Sequence, residues 1–155
     1  KILQYEPPNV VYEKPANLFV AGFPGSPPMN FVDATVVEKD SQVALDAGFF
    51  LYTLEEELGK LVKQNVTGDK VIIGFRPEHM ILSKDKSEES VFQADVYVIE
   101  PMGSNLIVDL KVENYLFKAI VPATVAIPPI GEKVWVGFLP EKIHIFDAKT
   151  EKAIF

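Results

Sequence analysis

From Phe31 onward, apolar and polar positions alternate in short runs: FVDATVVE, SQVALD, DKVIIGF and MIL, then FQADVYVIE, NLIVDLKV, YLFKAIV, EKVWVGF and IHIFD. A period of two, rich in β-branched and aromatic residues and punctuated by turn signals, predicts strands. One stretch breaks the pattern. In TLEEELGKLVKQN, Leu54, Leu58, Leu61 and Val62 fall at i, i+4, i+7 and i+8, and Thr53 stands three residues before Glu56. That spacing predicts one amphipathic helix over 54–64 with a capping box at its start. Ahead of the strands, residues 1–25 read as two short helical pieces, 8–13 and 15–21, with Pro15 suited to a first helical position and Gly22 and Gly25 to the exit.

The strand pattern repeats. GDKVIIGFRPEHMIL (68–82) and GEKVWVGFLPEKIHI (131–145) align without a gap, and Gly68/Gly131, Lys70/Lys133, Val71/Val134, Gly74/Gly137, Phe75/Phe138, Pro77/Pro140 and Glu78/Glu141 are identical pairs. Upstream, DATVVE (33–38) matches DVYVIE (95–100) after a slip of one residue. Self-similarity of this kind marks a duplicated structural unit. The copies span about 29–83 and 91–147, and the polar SKDKSEES between them reads as an exposed connection. In the shared GFxPE core, glycine admits a bend or a close neighbour, and proline ends ladder donation because it has no N–H. The expected result is strand, tight corner, strand, as a small closed or half-closed barrel requires. Two barrel-like units, or one body sharing strands, both fit. The corner residues are Gly74, Phe75, Arg76, Pro77, Glu78 and His79 in the first copy. Gly137, Phe138, Pro140, Glu141 and, just beyond, His144 are their counterparts in the second.

Composition narrows the function classes. A length of 155 residues with 48% apolar content supports an ordinary core and excludes a disordered chain. No run approaches the ~20 apolar residues that a membrane-spanning helix needs. With no cysteine there is no disulfide, thiolate metal site or thiol nucleophile, and the net charge of −7 argues against a nucleic-acid partner. Arg76 is the sole arginine.

Chemistry is hard to place. His79 and His144 are the only histidines, yet in the repeat His79 falls opposite Lys142, and the three or four spaced ligands of a zinc site are missing. Glu55, Glu56 and Glu57 precede a helix, where negative charge is stabilising. Glu78 and Glu141 hold one internal position, so a shared structural role at the corner explains both. The sequence lacks GxxxxGK[ST], GxSxG and HExxH. The expectation is a non-enzymatic chain without catalytic, cofactor-binding or metal-binding residues.

VVYEKPANLFVAGFPGSPPMNF (10–31) resembles the junction that follows the nucleotide-binding domain in ATPase subunits of carbohydrate-importing ABC transporters of the maltose and multi-sugar type. GFRPEHMIL and FLPEKIHIFD resemble two stretches of that family's C-terminal regulatory domain. The resemblance implies a mainly β fold of duplicated OB-like (TOBE) units with one inserted helix and a helical N-terminal tail. It makes 1–25 the tail of an upstream ATPase domain, 26–155 the regulatory domain, and the chain a fragment of a longer subunit. ATP and Mg would belong to that full-length parent. Its partners would be a second copy as a homodimer, membrane-spanning permease subunits reached through the ATPase domain and, in the maltose branch, a regulatory protein. The location would be cytoplasmic, on the inner face of the membrane. The competing expectation is an OB module binding a small sugar or oxyanion. An oligonucleotide-binding OB protein ranks below both, because it needs a basic face.

Overall fold

The alternating runs become ten strands. In the computed structural model, which describes residues 1–155, the order is α1 (Pro8–Glu13), α2 (Leu18–Gly22), β1 (Asn30–Lys39), β2 (Gln42–Asp46), β3 (Leu51–Thr53), α3 (Glu56–Asn65), β4 (Lys70–Phe75), β5 (Met80–Ser83), β6 (Phe92–Met102), β7 (Asn105–Val112), β8 (Tyr115–Pro122), β9 (Lys133–Phe138) and β10 (His144–Asp147). The fold is mainly β, with two five-stranded sheets of order β10-β4-β1-β2-β3 and β5-β9-β6-β7-β8. No helix is long and apolar enough to cross a membrane.

The sheets share strands between the copies. β5, encoded by the first copy, pairs with β9 of the second: Ile81 lies opposite Gly137 and Leu82 opposite Val136. β10, encoded by the second copy, pairs with β4 of the first: His144 lies opposite Gly74 and Ile145 opposite Ile73. The two registers are the same once the repeat offset is applied, so each copy donates its last strand reciprocally. The compact units follow the exchange. One comprises residues 1–74 and 143–155, the other 75–142.

In the first unit the buried side chains include Val32, Ala34, Leu45, Leu54, Val62, Val71, Ile73, Ile145 and Phe146. Met29 and Ala21 pack with Phe146. In the second they include Phe92, Ala94, Val108, Leu110, Phe117, Val134, Val136 and Phe138. Their inward positions follow the strand period of two.

Two helix starts differ from the sequence reading. The inserted helix begins at Glu56, and Thr53 ends β3 instead of capping it. The Leu54 N–H is spent on the Val43 carbonyl at 2.8 Å, which holds the chain extended through the would-be cap, and Leu54 is buried. α2 starts at Leu18 and not at Pro15, because the Asn17 side chain accepts the Val20 N–H at 2.9 Å, an N-cap closer to the apolar run. The upstream repeat alignment also moves. Lys70 bonds Thr35 and its counterpart Lys133 bonds Asp95. The Val36 N–H donates to Asp69 O as the Val96 N–H does to Glu132 O. Thr35 is therefore equivalent to Asp95, two residues away from the pairing that letter identity suggests. A shift of two keeps every side chain on its face of the sheet, which is why the sequence tolerated the misalignment.

Candidate functional site: the paired corners

Each GFxPE motif forms a strand end followed by a 3₁₀ turn, Pro77–His79 and Pro140–Lys142. Proline at the first turn position costs no ladder bond there, and the next strand starts directly after the first of these turns. Both glycines are needed for close approach, but against different neighbours. A Cβ on Gly74 would sit 2.5 Å from the Met29 sulfur and 3.2 Å from the Phe146 ring. A Cβ on Gly137 would overlap the Glu89 carbonyl oxygen, with Glu89 C at 3.0 Å. In each case the chain crossing over the glycine is the segment leading into the first strand of its own copy.

The second unit brings several corner residues together. Phe75 and Phe138, equivalent in the repeat, stack with ring centroids 5.0 Å apart, and Phe117 meets Phe75 edge-on at 5.2 Å. Such pairs add roughly 0.5–1.5 kcal/mol beyond burial. The two turns are tied by the Leu139 N–H donating to the His79 carbonyl at 3.2 Å. Arg76, next to the stack in sequence, is 1% exposed, and burial pulls its pKa below the ordinary value. Pro77 is buried while Pro140, Glu78 and Glu141 are exposed.

His79 is half-buried, and its Nδ1 lies buried without a hydrogen-bond partner. Burial lowers its pKa, and the Glu78 and Glu141 carboxylates act in the opposite direction from Lys142 and Arg76. His144 is elsewhere, in the first unit, on β10 opposite Gly74 with its ring 6.3 Å from that of Phe146. The two histidines thus belong to different units. No group of three or more His, Cys, Asp or Glu side chains gathers where it could hold a metal.

One constellation escaped the sequence reading. Asp147, at the end of β10, is 1% exposed. It accepts bonds from the Thr67 N–H (2.9 Å) and hydroxyl (2.9 Å) and from the Thr150 N–H (2.8 Å). Burial opposes its ionisation, but the donated bonds from Thr67 and Thr150 prevail and hold the pKa at about 2. Its role is to fasten the donated strand to the loop after α3. The D-x-x-T spacing of Asp147 and Thr150 was a local signal, whereas Thr67, 80 residues away, gave none.

Shape and motif together find relatives. Residues 25–80 match the MalK OB fold domain family and residues 73–146 the TOBE domain family. The chain thus carries a MalK OB fold domain and a TOBE domain. It is 41% identical over 153 residues to the trehalose/maltose import ATP-binding protein MalK of Thermococcus litoralis, covering 96% of this chain and 40% of that protein. It is 37% identical to the multiple sugar-binding transport ATP-binding protein MsmK of Streptococcus mutans, covering 99% and 41%. It is 34% identical to the ABC transporter ATP-binding protein YurJ of Bacillus subtilis, covering 100% and 43%. The chain therefore spans about two fifths of the length of these curated relatives, corresponding to their C-terminal part. Among solved structures, the cytoplasmic molybdate-binding protein ModG aligns with a TM-score of 0.53 at 16% identity, over 75% of this chain and 94% of that one. That likeness is one of fold. The TOBE assignment runs through both corners, so the residues singled out from the repeat lie inside the matched families.

Proposed function

We propose that this chain is the regulatory and dimer-holding domain of the ATP-binding subunit of a sugar-importing ABC transporter. The observation that carries the reading is its near end-to-end match to the C-terminal part of such subunits. The relatives are named for different cargoes, among them trehalose/maltose, sulfoquinovosyl glycerol and oligosaccharides. A domain common to all of them serves the shared ATPase cycle and leaves sugar choice to other subunits. Residues 1–25 are, on this reading, the end of the ATPase domain, and 26–155 the regulatory domain. ATP and Mg²⁺ are held upstream, and no step is assigned to residues of this chain.

Mechanistically, the domain keeps a second copy of the subunit beside the first while the ATPase halves open and close against the permease subunits on the inner face of the membrane. Tethering raises the effective concentration of the partner, so ATP has only to close the gap. A regulatory protein or effector acting here biases open against closed by a coupling of about 1–3 kcal/mol. The corner residues act as scaffold, through glycine crossings and ring stacking. Exposed apolar side chains on the second unit, including Tyr97, Met102, Leu116 and Ile130, supply surface suited to a partner.

The test is sedimentation of the full-length subunit against one ending before residue 30 of this numbering. The shortened subunit should bind a fluorescent ATP analogue normally yet sediment as a monomer without nucleotide, where the intact subunit sediments as a dimer. If both dimerise alike, the reading is wrong.

A further inference from the structure

Helix α3 touches the sheet at its middle and stands away from it along one flank. The contact is made at Gly59, where a Cβ would sit 3.0 Å from Val43 Cβ, with Val62 fully buried on the same helix. On the open flank the polar residues of the helix are exposed, as on an amphipathic surface helix. They face the polar end of the β1–β2 hairpin across a cleft of about 460 Å³. That volume lies within the ~300–1,000 Å³ typical of small-molecule sites.

The charges in the cleft cancel in pairs. Lys63 bonds Glu38 across the gap, and Lys60 lies 3.1 Å from Glu56 along the helix. An anion entering would meet two carboxylates, and a cation would meet two ammonium groups. Ser41 and Gln42 on the hairpin and Gln64 on the helix also line the cleft and offer neutral donors and acceptors, and no hydrogen bond among them closes it. Val43 and Leu54 give the site an apolar floor. A lining that offers neutral donors and acceptors and carries no net charge matches a ligand of the same kind. We propose that this cleft binds a neutral, hydroxyl-rich small molecule of mono- to disaccharide size.

The proposal stands on the chain's own geometry and is independent of the assembly role above. Its assay uses the 155-residue chain, whereas that of the assembly role uses the longer subunit, so the two fail separately. Amide NMR spectra of the ¹⁵N-labelled chain would be titrated into the millimolar range with maltose and with trehalose, and with glucose 6-phosphate as the charged counterpart. Saturable shifts are expected at Gln42, Gly59, Lys60 and Gln64 with at least one neutral sugar, and weaker binding of the phosphate. Gln42→Ala and Gln64→Ala alter exposed side chains, and the same spectra report that the fold is retained. Each should weaken binding roughly fivefold, as loss of one neutral hydrogen bond does. The proposal is overturned by no saturable shift with either sugar, by shifts centred outside the cleft, by tighter binding of glucose 6-phosphate, or by unchanged affinity in both variants.

Discussion

Alanine at the two repeat glycines should cost very different amounts, although the motif is the same. At Gly137 a methyl group collides with the Glu89 carbonyl, which is backbone and cannot swing away. Either β9 or the segment before β6 must move, and the bond from Val91 N–H to Val136 O, 2.8 Å long, sits next to the collision. Losing that bond costs about 1 kcal/mol, and overpacking adds about 1–3 kcal/mol. The better strand propensity of alanine returns about 0.5–1 kcal/mol. Gly137→Ala should therefore destabilise by roughly 2 kcal/mol. At Gly74 the nearest atom is the sulfur of Met29, the far end of a side chain with three rotatable bonds. Gly74→Ala should stay within about 1 kcal/mol of the parent. Urea unfolding measures both. Trp135, the only tryptophan, lies on β9 and reports the second unit by fluorescence, while circular dichroism follows the whole chain. With a slope of about 1–3 kcal/mol per molar urea, the Gly137→Ala midpoint should fall by roughly 0.7–2 M. Equal midpoints for the two variants, or a larger loss at Gly74, would refute the argument that the fixed backbone neighbour sets the cost.

Two further outcomes follow from the donated strand. Asp147 has a folded pKa of about 2 against 3.8 for an unperturbed aspartate. A lowered carboxyl pKa contributes stability that is fully present above the unfolded value and is lost as pH falls through the folded one. About 2 kcal/mol should thus disappear between roughly pH 4 and pH 2, and Asp147→Asn should flatten that part of the stability–pH curve; an unchanged slope would count against the Thr67–Asp147–Thr150 fastening. Cutting the chain within 84–90 leaves each fragment with a strand that belongs in the other's sheet. Neither fragment alone should give native circular dichroism, and mixing should restore it at 1:1 stoichiometry. Independent folding of both fragments would contradict the reciprocal pairing.

Much of this architecture is written locally, and what is missing from the sequence is long-range. Alternation in runs such as DKVIIGF and YLFKAIV identified the strands because burial of one face imposes a period of two. The helical spacing of Leu54, Leu58, Leu61 and Val62 identified α3, although within the helix only Leu58 and Val62 of that set turn inward and Leu61 is exposed. Its start was misread because the Leu54 N–H belongs to Val43, a partner that no local window contains. GFxPE announced a corner and a close approach, but not that Met29 would be the neighbour at one glycine and backbone at the other. Strand donation was unreadable in principle: MIL and IHI have the same pattern whichever edge receives them. The cleft beside α3 was hidden too, since Glu38 and Lys63 are 25 residues apart and each alone reads as a solvated charge.

Reciprocal donation also sets a timetable for synthesis. The first sheet is nearly complete once β4 has left the ribosome, yet its last strand, β10, is encoded some seventy residues later. At roughly 5–20 residues per second, the β4 edge stays open for about 4–15 s. An unpaired edge invites pairing with other chains. During those seconds the nascent first half depends on whatever shields that edge, and a message truncated before β10 leaves it exposed for good. The end of the chain thus decides the fate of its beginning.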